Sequence, residues 1–379
     1  MLDRIKASIP ALPPAEQRVA KLVLADPRSF ASLPVAELAE RAHVSKPTVV
    51  RFCRSVGYDG LADFKLKLAG TVNEGVPFVH RSVDEDDKPG DLIVKVIDNA
   101  VSALLKFRND AASHAFDRAI KLTAGGEAGH WRGQTDPAYA NMVGPYGGIT
   151  AATALQAISQ HPDRIGDPVS LTVNYCAALA DGAFALTARP VRTNRSTQHW
   201  LVDIEQGGET VLTGTALTAL RRETWGTQDE PAPRVLSPNA IGKPNMAALV
   251  EWVKRYDIRI VEGAIPRVWD GSGEHSRTTL WVRDEPPRAL DFASLASMCD
   301  VFFPRVWLRR ATRVPAGTVS MTIYFHVGQA ELAAVGEGWL LGQAQSSVMR
   351  NGYFDQRGQL WSQAGALLAT THQVVYYKE

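Results

Sequence analysis

Cysteine is scarce in this chain of 379 residues: three in all, Cys53, Cys176 and Cys299, far apart and in no CxxC or Cys/His ligand spacing. That excludes a disulfide framework and leaves no basis for a metal centre, so reduced core thiols are expected and no metal or cofactor is. Long hydrophobic runs are also missing. None approaches the ~18 residues of a membrane span, so no membrane partner is expected. The opening MLDRIKASIPALPPAEQ lacks the unbroken apolar stretch of a signal peptide, and a cytoplasmic protein is the expectation. Net charge is nearly absent too, at +1. It is uneven, however: Met1–Gly70 holds 11 Lys and Arg against 7 Asp and Glu, while the remainder holds 30 against 33. A basic end on a slightly acidic body places any polyanion partner at the N-terminal end.

What is present begins with a helix–turn–helix pattern between Pro34 and Gly57. Val35, Leu38, Ala39 and Ala42 form one apolar stripe, and Ala42-His43-Val44 turns the chain. Ser45 stands at an N-cap position and Pro47 in the first turn, where its missing N–H costs nothing. Val49, Phe52, Cys53 and Val56 then recur at i, i+3, i+4 and i+7, the buried face of a second helix. Ser45, Lys46, Thr48, Arg51, Arg54 and Ser55 are left to point outward. Hydroxyls and cations at such a helix start suit phosphates and base edges, although a solvated basic helix of a bundle has the same spacing.

Residues 1–70 resemble the N-terminal domain of RpiR-type bacterial regulators. The resemblance is carried by PPAEQRVAKLVLADP and by VAELAERAHVSKPTVVRFCRSVGYDGLADFKLKLAG. It implies dimerisation and binding of double-stranded DNA, with Ser45, Lys46, Thr48, Arg51 and Arg54 as the contacting residues. Such regulators continue into a sugar isomerase domain. Here the likeness runs through VPFVHRSVDEDD and DLIVKVIDNAVSALLKF, fades near Ala112–Ile120, and no Gly/Ser-rich phosphate loop follows. Asn73–Asp91 reads as a polar linker and Leu92–Phe107 as an amphipathic docking helix or a spacer. The expected boundaries are 1–77 for the DNA-binding domain and 78–115 for linker and helix. Such a change of character marks a fusion, a gene-model join or a recombination product.

From Phe116 one organisation is written twice. GPYGGITAATALQAI gives a glycine-rich entry to an Ala-rich helix, and VSLTVNYCA, AFALTARPVRTN, TQHWLVDIEQ and TVLTGTALTAL alternate with period 2 as antiparallel strands. After a Pro-rich connector come the strands IRIVEGAI and RTTLWVRD and the helix DFASLASMCDVFFP. Four more strand-like segments follow, from TVSMTIYFHV to ALLATTHQVVYY. A long helix plus a strand meander, duplicated, is a tandem α+β fold.

This body resembles the acyl-CoA thioesterase II-like double hotdog superfamily through NMVGPYGGITAATALQAI, VRTNRSTQHWLVDIEQ, TVSMTIYFH and NGYFDQRGQLW…GALLATTHQVVYY. The whole is thus expected to be multi-domain. An all-α helix-turn-helix head precedes an α+β double hotdog with halves at 116–238 and 239–379, assembling as a homo-oligomer. The resemblance implies hydrolysis of an acyl-CoA thioester, or binding of acyl-CoA as an effector by an inactive body. Backbone N–H groups after Gly147 and Gly148 could receive the substrate oxyanion, though a tight turn explains those glycines as well. In the family an Asp, a Thr or Ser and a Gln hold the attacking water. Alignment on the YFH strand puts the Asp position at Ser320, alignment on the LW strand puts the hydroxyl at Ser347, and the last strand offers Gln373. The carboxylate is then missing, with Asp300 in SMCDVFF the nearest candidate: a catalytic acid or a local helix residue. His326 and His372 are the other titratable groups, expected in core or rim positions.

Overall fold

The computed structural model describes residues 114–379 apart from 246–249, and in the N-terminal part chiefly 12–25 and 33–58, with isolated positions between 5 and 68. The Asn73–Asp91 linker and the Leu92–Phe107 helix lie outside the described residues. Contacts divide the chain into two units, Met1–Asn109 and Asp110–Glu379.

Among the described residues the first unit has the helices α1 Pro14–Ala25, α2 Val35–Arg41 and α3 Lys46–Ser55. Val19, Ala20 and Val23 of α1 meet Leu38, Ala39 and Ala42, and Val49, Phe52, Cys53 and Val56, in one buried cluster. Apolar residues recurring at helical spacing have only one face to bury, and three such faces close on each other. The turn is made by His43 in the left-handed region (φ 51°).

The second unit is a 13-stranded antiparallel sheet. Its strands are β1 Thr123–Ala124, β2 His130–Gln134, β3 Asp167–Tyr175, β4 Ala183–Thr193, β5 Thr197–Gln206, β6 Glu209–Ala219, β7 Tyr256–Glu262, β8 Thr278–Asp284, β9 Ala316–Phe325, β10 Leu340–Gln345, β11 Met349–Arg350, β12 Tyr353–Ser362 and β13 Leu367–Tyr377. They run β1-β2-β4-β5-β6-β3-β9-β13-β12-β10-β8-β7, with β11 on β12. Read outward from the β3–β9 pair, the two halves have the same order. The junction is symmetric: Thr172 faces Thr322 with their hydroxyls 3.0 Å apart, and β3 and β9 each carry one register shift, after Pro168 and after Thr318.

Inside the sheet lie α5 Gly147–Ser159 and α6 Phe292–Met298, preceded in the chain by the short α4 Ala115–Ala119. Ten of the thirteen α5 residues and all seven of α6 are buried. A helix apolar all round is one wrapped by its surroundings. Alanines at 151, 152, 154 and 157 and Gly148 let the pair pack closely: a side-chain carbon on Gly148 would stand 2.5 Å from the Ser297 carbonyl oxygen. The expected long second helix is only seven residues. It ends before Cys299, and Pro304 opens a separate helix, α7 Arg305–Arg310. One more helix, α8 Gln329–Val335, follows β9.

Candidate functional site

In the first unit Ser45, Lys46, Arg51 and Arg54 are exposed, but Thr48 is 5% exposed and does not point outward. Its hydroxyl is 2.9 Å from that of Ser45 and accepts from Arg51 Nη2 at 3.2 Å. Ser45 occupies the N-cap, yet its side chain bonds Thr48 rather than the helix backbone. Thr48 therefore shapes the start of α3 and holds Arg51. Arg18 of α1 donates to the carbonyls of Ala42 (3.3 Å) and His43 (3.2 Å), fixing the turn that aims α3.

In the second unit the polar centre forms where the end of α6 meets the start of α5. Asp300, two residues past α6 and half-buried, accepts from Gln373 Nε2 at 3.0 Å. Gln373 lies on the inner face of β13, 2% exposed, and its amide oxygen accepts from the Thr318 hydroxyl at 3.3 Å. The register shift puts Thr318 there. Along β9 the buried residues Met321, Ile323 and Phe325 alternate, so strict period 2 would turn Val319 inward. The bulge leaves Val319 39% exposed and returns Thr318 to the inner face.

The same carboxylate touches the first half. Gly148 N–H donates to Asp300, and a side-chain carbon on Gly147 would stand 2.9 Å from Asp300 Oδ2. Burial pushes the Asp300 carboxyl up to about 7, against the lowering influence of its Gln373 and Gly148 hydrogen bonds. A carboxylic acid raised toward neutrality by its surroundings is suited to proton transfer. The N-cap of α5, Tyr146, is pinned by stacking on Trp252 (centroids 4.1 Å, 10°) and by its hydroxyl on the Ser297 carbonyl at 2.7 Å.

Comparison with known proteins places both domains in known families. A family model described as the acyl-CoA thioesterase N-terminal domain matches residues 136–219, and one described as its C-terminal domain matches 228–377. A model of the helix-turn-helix domain of the rpiR family matches residues 1–75. A crystal structure from Alicyclobacillus acidocaldarius, a conserved protein of unknown function with a hot dog fold, is 43% identical. It superposes with TM-score 0.68 over 71% of this chain and 99% of its own. The chain belongs to the hotdog acyl-CoA thioesterase family and carries an rpiR-type helix-turn-helix domain ahead of it. The Bifunctional protein glk of Paraburkholderia xenovorans (strain LB400) is 46% identical over 125 residues, 33% of this chain and 20% of that protein. The HTH-type transcriptional regulator HexR of Escherichia coli (strain K12) is 38% identical over 122 residues, 32% of this chain and 42% of its own. The chain thus spans about a fifth of the length of the first of these relatives and under half of the second.

Within this hotdog body the expected residues divide. Asp300, Gln373, Gly147 and Gly148 come together. Ser320 and Ser347 do not join them. Ser320 pairs with Val374 and Asn174, next to Gln373 in register but on the opposite face of the sheet. Ser347 is exposed, its N–H donating to Asp355 Oδ1 at 2.9 Å. The carboxylate beside Gln373 is Asp300, from the helix end, and the hydroxyl on its amide is that of Thr318. His372 is exposed 3.6 Å from Asp355, and His326 bonds the Thr370 hydroxyl at 3.0 Å, so both are rim residues. Among the described residues no helix is long and apolar enough to cross a membrane.

Proposed function

We propose that the hotdog body hydrolyses an acyl-CoA thioester, with Asp300 as general base, Gln373 as the amide that holds it and Thr318 as the hydroxyl that orients the amide. The observation carrying this reading is the Gln373–Asp300 hydrogen bond on a carboxyl raised to about 7. An Asp, a Thr or Ser and a Gln are the groups that hold water in the resembled family. Asp300 takes a proton as water adds to the thioester carbon, then returns it to the departing thiolate, giving acid and thiol. The first turn of α5 supplies donors ahead of its first intrahelical bond, from Thr150 N–H to the Tyr146 carbonyl. One of them, Gly148 N–H, is already used by Asp300. The Gly147 N–H is the donor this reading assigns to the oxyanion.

A second reading has its own support, the rpiR-type head over residues 1–75. In it the body binds acyl-CoA as an effector and the head reports it to double-stranded DNA, with Lys46, Arg51 and Arg54 facing the duplex as part of a homodimer on a two-fold operator. Both readings place the protein in the cytoplasm, with head, connector and halves divided at 77, 115 and 238. Release of free thiol from acyl-CoA by wild type and by Asp300→Asn tests hydrolysis. Operator affinity with and without acyl-CoA, measured on the inert variant, tests signalling. If the sites are coupled, DNA changes acyl-CoA affinity by the same factor. Thiol release unaffected by Asp300→Asn would remove the mechanism, and equal operator affinities would remove the sensor.

A further inference from the structure

Gly147 has a second neighbour across from Asp300. Tyr175, the last residue of β3, donates its hydroxyl to the Gly147 carbonyl at 2.8 Å. A side-chain carbon built on Gly147 would stand 2.9 Å from Asp300 Oδ2 and 3.4 Å from Tyr175 Oη. The bare face of Gly147 is therefore flanked by a carboxylate oxygen from the second half and a phenol oxygen from the first. The carboxylate and the phenol thus approach the same glycine on the side that carries no side chain.

The geometry points to Tyr175 as a further catalytic residue of the thioesterase, its phenol oxygen accepting one hydrogen of the water whose other hydrogen Asp300 removes. The inference rests on the hydrolytic reading given above. Since the phenol proton is engaged by the Gly147 carbonyl, the oxygen meets the water as an acceptor, and a phenol has lone pairs for that role. With both hydrogens held, the water lone pair is left to face the thioester carbon. The new C–O bond forms as Asp300 takes the proton. The C–S bond then breaks, and the thiolate receives that proton from Asp300. Burial and the nearby Asp300 carboxylate both push the Tyr175 hydroxyl well above its ordinary range, so it stays protonated and does not compete as the base. A glycine at 147 is a requirement of this arrangement, because any side chain there meets the carboxylate.

The test is steady-state thiol release by the full-length protein and three variants, with thermal midpoints recorded for each. Tyr175→Phe keeps the ring and is expected to lower kcat about 10²-fold, the scale of losing reactant orientation, with KM unchanged and the thermal midpoint lowered only by the loss of its one hydrogen bond to Gly147. Gly147→Ala, which keeps both oxygens but crowds the Asp300 carboxylate, is expected to lose at least as much kcat. A Tyr175→Phe enzyme within twofold of wild type would overturn the assignment. So would a loss carried by KM together with a lowered midpoint, since that marks a residue that merely supports the turn. Asp300→Asn separates the two levels. If it abolishes turnover while Tyr175→Phe does not, Tyr175 alone is wrong; if wild type releases no thiol, the hydrolytic reading falls with it.

Discussion

The two hotdog halves share a strand order and differ in what they place on equivalent positions. Leu171 on β3 and Met321 on β9 are related by the symmetric Thr172–Thr322 junction. Leu171 pairs with Ala216, and Met321 pairs with Gln373. The residue before the register shift is Pro168 in one half and Thr318 in the other. Where the second half carries an amide and a hydroxyl, the first carries a methyl group and a ring without an N–H. The first half contributes instead the glycine start of α5, which receives Asp300, and Tyr175 beside it. Duplication has thus left one polar cluster built from two unequal parts. A half that no longer needs polar residues on its own inner face can supply a backbone terminus to its neighbour, and the low-dielectric junction between them raises the Asp300 carboxyl.

That asymmetry can be broken most severely at Asp300, the proposed base. Asp300→Asn is expected to cut thiol release by ~10²–10⁴, while Ala216→Gln, which writes the second half's amide into the first, leaves it within a fewfold of wild type. Comparable losses in the two would show that the halves are not divided as described.

Next in size is the amide. Gln373→Ala is expected to lower kcat roughly 10²-fold. It also removes a hydrogen bond that favours the charged carboxylate, so the Asp300 pKa rises further. In wild type, kcat/KM should fall as pH drops through about 7, and in Gln373→Ala that acid limb should move to higher pH. A limb that stays in place would mean that Gln373 does not hold the base.

A third measurement concerns stability. The folded-state value of Asp300, about 7, lies above the ordinary carboxyl value of 3.8. The sign follows from that. Its protonated form favours folding below the ordinary value, and this contribution is lost as pH rises through about 7. Asp300→Asn stays neutral, so its thermal midpoint should exceed that of wild type by at least ~2 °C at pH 8 and converge with it at pH 4. An equal difference at both pH values would contradict the raised carboxyl.

The smallest effects are expected in the head, which has no duplicated partner. Arg51→Ala should relax base discrimination by ~1–3 kcal/mol if its guanidinium, steadied by Thr48, reaches a base edge. Lys46→Ala should weaken all duplexes alike and lower the slope of affinity against salt by ~0.9 for the phosphate lost. Competition binding over a set of operator variants at two salt concentrations separates these outcomes.

Much of the molecule was legible before folding. The apolar stripes of α2 and α3, the turn between them and the Pro47 entry all stand where spacing placed them; that the turn is left-handed at His43 came from the structure. In the body, nearly every alternating segment became a strand. The site was only partly legible. Gln373, Asp300 and the two glycines were recognisable as residue types with a plausible use. Thr318 was missed because alignment on the LW strand placed the hydroxyl at Ser347, and period 2 alone would turn Val319 rather than Thr318 inward, since a bulge leaves no mark in it. The inward-facing TxxM of TVSM, read with a bulge, was the signal available. Thr48 was misplaced for a similar local reason: a hydroxyl at a helix start suits solvent or phosphate by type, and here two neighbours claim it.

By itself, then, the sequence determined the elements, the duplication and the division into a basic head and a near-neutral body, because periodicity and composition are local properties. Tertiary structure alone decided which polar groups meet. Asp300, Thr318, Gln373, Gly147 and Tyr175 come from two helix termini and three strands, and from both halves of the chain. Only the symmetric β3–β9 junction, the bulge in β9 and the close packing of α5 on α6 bring them together. Burial at that meeting point, which no residue carries in isolation, is what moves a carboxyl into the range where it can exchange a proton with water.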